Sequence, residues 1–214
     1  MTSEEICEAL AAHGRSLFAR GYSCGTSGNL SARLPGGGFV MSPTNASLGR
    51  LDPRQLSQLD PDGRHTVGPA PTKEAWLHLA MYRQRPGDAA VVHLHSAHAV
   101  ALSCRTDRPA DDMVPALTPY VVMRVGRVAR VPYQRPGDTS LLATFERLAA
   151  EHRALLLANH GPVVAGVDLD AAVAAAEELE ETARLFFLLE GSPHATLGAS
   201  EIADLHRTFG VGKS

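Results

Sequence analysis

Two histidines two positions apart are the first residues in this sequence whose spacing favours metal chemistry. His93 and His95 lie in an apolar stretch that predicts a β-strand, where alternate side chains point to the same face. Two imidazole nitrogens that project together are a ready pair of ligands for zinc or a similar divalent ion. Chance packing is the alternative, but imidazoles rarely lie in a buried apolar strand without polar partners.

Two further residues could complete such a site. Glu74 lies at the predicted start of the helix before the strand, and a turn at residues 86–88 folds the two elements back on each other. Its carboxylate could therefore face the histidine pair. His160 follows the apolar run 154–157, at a strand-to-turn junction where functional sites are commonly built. Three histidines suit a catalytic zinc that keeps one position open for substrate.

Two other features could bind an anion. Glycine and hydroxyl residues fill the stretch 23–31, and a turn there can expose several backbone N–H groups to a ligand. An ordinary loop is the alternative that composition alone favours. Lys73 lies beside the predicted helix start, where its charge opposes the helix dipole. It is either a ligand for phosphate or carboxylate, or a solvated lysine.

The elements that must position these residues alternate between helix and strand. Apolar periodicity and capping residues predict helices over residues 3–20, from 74 to 82, from 96 onward, from 138 or 139 through 148, from 168 or 170 to about 189, and from 200. Strands are predicted over 39–42, 91–95, 121–125, 128–131, the run that ends at His160, and 163–165. This alternation predicts one α/β domain over residues 1–214, with a central mixed sheet.

Composition limits the possible functions. The 214 residues fit one domain with a substantial core, and 44% hydrophobic with 20% charged residues is ordinary globular composition. A net charge of -3 gives no indication of a nucleic-acid partner. The three scattered cysteines form no disulfide framework, and we find neither a signal peptide nor an apolar run long enough to span a membrane. We therefore expect a soluble cytoplasmic protein.

Four blocks in this order resemble the class II aldolase/adducin superfamily. They are residues 25–31, residues 41–44, Glu74 with the His93-x-His95 pair, and residues 159–161. The superfamily includes sugar-phosphate aldolases, epimerases and 3-oxo-tetronate 4-phosphate decarboxylases. Two segments look most like the decarboxylase branch. One is Pro-Thr-Lys-Glu at 71–74, where the aldolases usually carry serines before the glutamate, and the other is 118–126 followed by 132–138.

The resemblance implies a reaction and a metal site. A 3-oxo-tetronate 4-phosphate would lose carbon dioxide through a metal-stabilised enediolate and give dihydroxyacetone phosphate. His93, His95 and His160 would bind the metal, which we expect to be zinc, with manganese or cobalt as alternatives. Glu74 would be either a fourth ligand or the proton-transferring base, and Tyr120 would be the proton donor.

The resemblance also implies a phosphate pocket and an assembly. The phosphate-binding residues would be Thr26, Ser27, Gly28, Asn29, Thr44, Thr72 and Lys73. The fold would be a mixed, mainly antiparallel sheet covered by helices. The protein would form a homotetramer with its sites between subunits, and its partner would be a small phosphorylated sugar acid.

Three alternative functions stay open at this point. A class II sugar-phosphate aldolase or epimerase would use the same site, and so would a metal-dependent dehydratase of the superfamily. A non-enzymatic interaction module like the adducin head resembles this fold but lacks the metal ligands. The presence of all the ligands in this sequence argues against the third alternative.

Overall fold

An eight-stranded sheet runs through the centre of the protein, which the computed structural model describes over residues 1–209. The strands are β1 (Asn29–Arg33), β2 (Phe39–Met41), β3 (Ser57–Leu59), β4 (His65–Val67), β5 (Ala90–His93), β6 (Val128–Val131), β7 (Ala154–Leu157) and β8 (Gly161–Gly166). Their order in the sheet is β4-β3-β2-β1-β5-β8-β7-β6. Within the described residues β6 and β7 pair in parallel and the other neighbours are antiparallel.

Helices cover both faces of this sheet. They are α1 (Ser3–Ala19), α2 (Ala75–Gln84), α3 (Ala97–Ser103), α4 (Pro119–Arg124), α5 (Leu142–Glu151), α6 (Leu169–Leu188) and α7 (Ala199–Phe209). Helices α2 and α5 pack on one face, while α1, α3, α4 and α6 pack on the other, so the core has two layers. The predicted single-domain α/β class, with a mixed and mainly antiparallel sheet, is confirmed.

The alternation of side chains along β5 determines which layer receives the candidate site. Val91 packs into the layer under α2 and α5, whereas Val92 and Leu94 pack into the opposite layer. Since strand side chains alternate, His93 points to the same side as Val91, toward α2. The start of α2 and the end of β5 therefore face each other across one layer of the core.

The sequence signals for helix ends were reliable where a side chain caps the backbone. Thr2 Oγ1 accepts a hydrogen bond from the Glu5 N–H at 3.2 Å, and Glu5 Oε2 accepts one from the Thr2 N–H at 2.7 Å. This is the capping box that the first residues predict. At α6 the Asp168 carboxylate accepts the Ala171 N–H, so Asp168 rather than Asp170 is the cap.

The predicted strand over 121–125 was wrong, because this segment belongs to helix α4. Thr118 caps the helix, accepting the Val121 N–H on its hydroxyl at 3.2 Å, and Pro119 occupies the first turn. Proline is favoured there because its missing N–H would have no intrahelical partner. Val121 and Val122 are buried, so tertiary packing outweighs their strand propensity.

Several boundaries also differ from the sequence predictions. Strand β1 begins at Asn29, inside a stretch that its glycine and hydroxyl residues had assigned to a turn. Strand β5 ends at His93, and the strand predicted to reach His160 ends at Leu157. Helix α5 begins at Leu142, after a turn in which the Asp138 carboxylate accepts the Ser140 N–H.

Among residues 1–209 no helix is both long and apolar enough to cross a membrane. The single domain predicted over residues 1–214 includes residues 210–214, which lie outside the described residues, so these domain limits stay a prediction.

Candidate metal centre

One carboxylate and three imidazoles meet where the start of α2 faces the ends of β5 and β7. A ligand atom from each of Glu74, His93, His95 and His160 lies within 4.8 Å of the other three. His95 Nε2 is 3.1 Å from Nε2 of His93 and 3.1 Å from Nε2 of His160. The Glu74 oxygens lie 3.3 Å from His93 Nε2 and 3.1 Å from His160 Nε2. The structure thus brings together the four residues predicted as metal ligands.

His93 and His95 reach this cluster by strand geometry. His93 is fully buried, and its Nδ1 donates to the carbonyl oxygen of Pro162 on β8 at 2.8 Å. That bond leaves the Nε2 lone pair of His93 directed at the cluster, as metal-ligating imidazoles require. Beyond the end of β5 the chain stays attached to β8, since the Leu94 N–H donates to the same Pro162 oxygen. The side chain of His95 therefore points to the same side of the sheet as that of His93, as the two-residue period predicts.

His160 reaches the cluster from a turn between β7 and β8. Asn159 has φ +56, in the left-handed region, and this residue ends the extended run of β7. A Cβ on Gly161 would lie 2.2 Å from the Leu94 carbonyl oxygen, so only glycine permits this close approach. The Asn-His-Gly sequence thus brings the backbone of the turn against the segment that carries His95.

The spacing of the four ligand atoms fits a divalent metal ion. Zinc–nitrogen bonds of about 2.0–2.1 Å in a tetrahedral site imply about 3.3 Å between neighbouring ligand atoms. Four of the six separations between the ligand atoms, at 3.1–3.3 Å, are close to that edge length, and the other two are within 4.8 Å. A neutral imidazole has a single N–H, and that of His93 is on Nδ1, so the three Nε2 atoms cannot all be paired with each other. The donor set is therefore one that a bound cation would satisfy.

Charge and burial favour the ligating forms of Glu74 and His95. Burial alone would raise the pKa of Glu74, but the charges and hydrogen bonds of His93 and His160 outweigh it and hold that pKa far below its ordinary range. Burial lowers the pKa of His95 to about 4, and the neighbouring His93 and His160 lower it further in the same direction. A deprotonated carboxylate beside a neutral imidazole is what metal binding needs.

The predicted phosphate-binding residues lie in three segments that approach one another. A Cβ on Gly28 would lie 3.0 Å from the His93 carbonyl oxygen, so the first segment adjoins the metal cluster. The Thr44 N–H donates to the Ala70 carbonyl and the Thr72 N–H to the Ser42 carbonyl, which joins the second and third segments.

The side chains of these residues differ in exposure. Thr26 and Lys73 are exposed, whereas Thr72 is buried and its hydroxyl accepts the Glu74 N–H. Asn29 is also buried, and its side-chain amide donates to Glu74 Oε2 at 2.9 Å. Its predicted contact with phosphate stays a prediction, as do those of the other members of the set.

Tyr120, the predicted proton donor, is in helix α4. It is 55% exposed in the first turn of α4, where the Arg124 guanidinium lies over its ring. The cavity beside the metal ligands has a volume of about 480 Å³ and is lined by His95, Ala97, Val100, Tyr133, Gln134, Pro136, Asn159 and His160. Among residues 1–209 of the same chain, Tyr120 is therefore not one that lines this cavity.

Sequence reasoning missed the polar residues behind the cluster. His78 is fully buried and its Nε2 lies 2.5 Å from Asn29 Oδ1. Its spacing of four residues from Glu74 on a helix was the available signal. Tyr133 and Gln134, on the cavity wall, lie in a loop inside segment 132–138, which the resemblance singled out without giving either residue a role.

Comparison with known proteins places the chain among enzymes. Residues 8–187 match the family described as Class II Aldolase and Adducin N-terminal domain. The 3-oxo-tetronate 4-phosphate decarboxylase of Escherichia coli K12 is 47% identical over 202 residues, which cover 94% of this chain and 95% of that protein. The L-fuculose phosphate aldolase of Escherichia coli O157:H7 is 31% identical over 198 residues, 89% of each chain. The crystal structure of YgbL from Klebsiella pneumoniae matches with a TM-score of 0.93 and 45% identity, covering 96% of this chain and 99% of that one.

Proposed function

The chain belongs to the class II aldolase and adducin family, and we propose that it is a metal-dependent carboxy-lyase acting on a 3-oxo-tetronate 4-phosphate. The observation that carries the proposal is the Glu74, His93, His95 and His160 cluster, whose ligand separations suit a divalent ion. The similarity to decarboxylases at 47% identity over nearly the whole chain supports the choice of reaction. We expect the ion to be zinc, with manganese or cobalt as alternatives.

The proposed reaction balances without any further reagent. The substrate carries its ketone at C3, two carbons from the carboxylate, so the C1–C2 bond can break with its electron pair shared between C2 and the C3 oxygen. Carbon dioxide leaves, and a proton added to C2 gives dihydroxyacetone phosphate. A divalent ion at the cluster supplies Lewis-acid stabilisation for the negative charge that develops on the substrate oxygens.

The residues of the chain have separate roles in this proposal. The three histidines hold the ion, and the Pro162 carbonyl fixes the His93 ring so that its Nε2 faces inward. Glu74 is either the fourth ligand or the group that moves a proton once substrate displaces it. These roles exclude each other at one instant, because a metal-bound carboxylate is a poor base.

Tyr120 is the proposed proton donor to C2, acting from a neighbouring subunit. Its exposure on α4 and its absence from the cavity of its own chain, within the described residues, support a role across a subunit boundary. We therefore propose a homotetramer with sites between subunits, as the family resemblance implies. We also propose a cytoplasmic location, where a phosphorylated sugar acid would be available.

The phosphate group is proposed to lie against the segments that carry Gly28, Thr44 and Thr72. Residues Thr26, Ser27, Gly28, Asn29, Thr44 and Thr72 would supply neutral donors, and Lys73 would supply one charge. Phosphate sites commonly combine backbone N–H groups with a cation. The proximity of Gly28 to the end of β5 supports a substrate that spans this pocket and the metal cluster.

A sugar-phosphate aldolase is the second candidate function, favoured by the 31% identity to L-fuculose phosphate aldolase. The deciding experiment incubates the zinc-loaded protein with a panel of 3-oxo-tetronate 4-phosphates and, separately, with a panel of ketose 1-phosphates. We expect equal amounts of carbon dioxide and dihydroxyacetone phosphate from the first panel, and neither from protein carrying His95→Ala. Aldehyde release from the second panel, without carbon dioxide from the first, would establish the aldolase instead.

A further inference from the structure

A row of five buried polar side chains runs from the metal cluster into the protein, alternating between α2 and β1. Asn29 Nδ2 is 2.9 Å from Glu74 Oε2, and Asn29 Oδ1 is 2.5 Å from His78 Nε2. His78 Nδ1 is 2.7 Å from Ser31 Oγ, which is 2.8 Å from the Tyr82 hydroxyl. All five residues are less than a tenth exposed, so water does not compete for these contacts.

Two periodicities meet to form this row. Glu74, His78 and Tyr82 are four residues apart along α2, a step of about 6.0 Å at 1.5 Å per residue. Asn29 and Ser31 are two residues apart on β1, a step of about 6.6–6.8 Å. Because the two steps nearly match, each strand side chain lies between two successive side chains of the helix face.

The chemistry of the groups gives every hydrogen bond in the row the same direction. An ionised Glu74 only accepts, so Asn29 turns its NH₂ toward the carboxylate and its carbonyl oxygen toward His78. That oxygen needs a donor, so the proton of neutral His78 is on Nε2 and its Nδ1 accepts from the Ser31 hydroxyl. Ser31 in turn accepts from Tyr82.

Burial keeps the two titratable members of the row in these forms. Burial lowers the pKa of His78 to about 3, helped by the charge of His93 and opposed by Glu74. His78 therefore has a single ring proton at neutral pH. Burial also raises the pKa of Tyr82 well above its ordinary value, so the phenol keeps its hydrogen.

From this geometry we propose that Tyr82, Ser31 and His78 are positioning residues that act through Asn29 on the carboxylate of Glu74. Hydrogen bonds that run head to tail polarise one another, so the row strengthens its last hydrogen bond, from Asn29 to Glu74 Oε2. A reversed Asn29 would place its carbonyl oxygen against the carboxylate, and His78 Nε2–H opposes that reversal. The row therefore fixes the orientation of the Glu74 carboxylate, in which one oxygen faces His93 and the other faces His160.

The inference rests on the proposed function only in giving Glu74 a role at the metal, so its test needs no substrate. The tautomer of His78 is read in metal-free protein from the ¹⁵N shifts of labelled histidine, with His78→Gln used to assign the signals. We expect a protonated Nε2 and an unprotonated Nδ1 at pH 7.5. A proton on Nδ1 would reverse the direction of the row and overturn the proposal.

Zinc affinity, measured by competition with a chelator, tests whether the row acts on the metal site. Ser31→Ala breaks the row at a residue that three successive hydrogen bonds connect to Glu74. Changes at outer partners of metal ligands typically weaken metal binding 10- to 100-fold. We expect about a tenfold weaker zinc affinity. Ser103→Ala is the matched control, because Ser103 is equally buried but donates to the Val100 carbonyl within α3. Equal zinc affinity in the two variants would overturn the proposal.

Tyr82→Phe provides a second test that keeps the fold. It removes only the hydroxyl at the far end of the row and retains the ring that stacks on Phe39 at 4.8 Å between centroids. We expect a few-fold loss of zinc affinity with an unchanged His78 tautomer. If the row is seen by NMR and zinc affinity falls but no carbon dioxide is released from any substrate, the proposed function fails and this inference stands.

Discussion

The candidate metal centre, formed by the Glu74, His93, His95 and His160 cluster, and the predicted phosphate pocket lie side by side but are built differently. Glu74 and His93 are buried, and each has partners on a neighbouring strand or helix. Thr26 and Lys73 are exposed, and within residues 1–209 Lys73 has neither a hydrogen bond nor an ion pair. The cluster is thus organised before any ligand binds, whereas the exposed side chains of Thr26 and Lys73 have no comparable partners within residues 1–209. This difference predicts that substitutions in the cluster abolish metal binding or activity, whereas substitutions in the pocket change substrate affinity by degrees.

The largest effect is expected from the cluster itself. His95→Ala removes one of three imidazoles, and we expect the variant to retain little metal and to lose carbon dioxide release altogether. Elemental analysis of chelator-free protein, wild type and variant side by side, measures this. Ser103→Ala serves as the control that should keep its metal. Equal metal content in His95→Ala and wild type would remove His95 from the ligand set.

Glu74→Gln separates the two roles left open for this carboxylate. If Glu74 is mainly the proton-transferring group, the variant should keep its metal and lose about a hundredfold to ten-thousandfold in kcat, since an amide cannot shuttle a proton. If Glu74 is mainly a ligand, metal content should fall together with activity. Metal analysis and kcat measured on the same preparation distinguish these results. Full activity with full metal content would contradict both roles.

Tyr120→Phe tests the proposed proton donor, an exposed residue outside both regions. Carbon dioxide can leave without a proton, so this change should slow formation of dihydroxyacetone phosphate by about a hundredfold while bond cleavage is slowed less. In deuterated water, wild type should label the new C–H bond with one stereochemistry, and the variant should label it randomly. A variant that stays stereospecific and fully active would assign proton donation to another group, with Glu74 as the first candidate.

Lys73→Ala should show the graded behaviour expected of the pocket. We expect KM for the phosphorylated substrate to rise about tenfold, the scale of one charge-assisted hydrogen bond, while metal content is unchanged. Lys73→Arg keeps the charge and should restore much of the affinity. An unchanged KM in Lys73→Ala would return this lysine to the solvated surface.

The smallest expected effect is on how the stability of the folded protein depends on pH through His78, which lies behind the cluster. The pKa of His78 is lowered by burial to about 3 in the folded protein, against an ordinary value of 6.5. The unfolded chain therefore binds the extra proton first, and stability present above pH 6.5 is lost as the pH falls toward 3. Between pH 7.5 and 5.5 this one group contributes a loss of about 1.4 kcal/mol.

Urea unfolding of metal-free protein at these two pH values measures that loss. We expect His78→Gln to be less stable than wild type at pH 7.5 but to lose about 1.4 kcal/mol less of its free energy of unfolding on going to pH 5.5. Parallel pH dependences for the two proteins would show that His78 is not buried as a neutral imidazole.

The sequence by itself determined the local geometry of the site. The two-residue spacing of His93 and His95 puts both rings on one side of an extended segment, and a helix start before a tight turn brings Glu74 to that side. The capping box at Thr2 and the proline-rich start of α4 are equally local signals, although the second was misassigned as a strand. Such features follow from backbone periodicity and from the first few hydrogen bonds of an element, so a short window of sequence contains them.

Only the tertiary structure decided which distant residues meet. Strand β1 is stable because β2 and β5 pair with its two edges, so its polar sequence could be assigned to a turn until those partners were known. The row from Glu74 to Tyr82 exists because the α2 and β1 steps match across a packed layer, a relation between residues about 50 positions apart. Contacts of this kind depend on how elements pack, which propensity and spacing do not encode. For the same reason the sequence could only suggest His160 as a third ligand from its place after an apolar run, whereas the structure shows its Nε2 3.1 Å from Nε2 of His95.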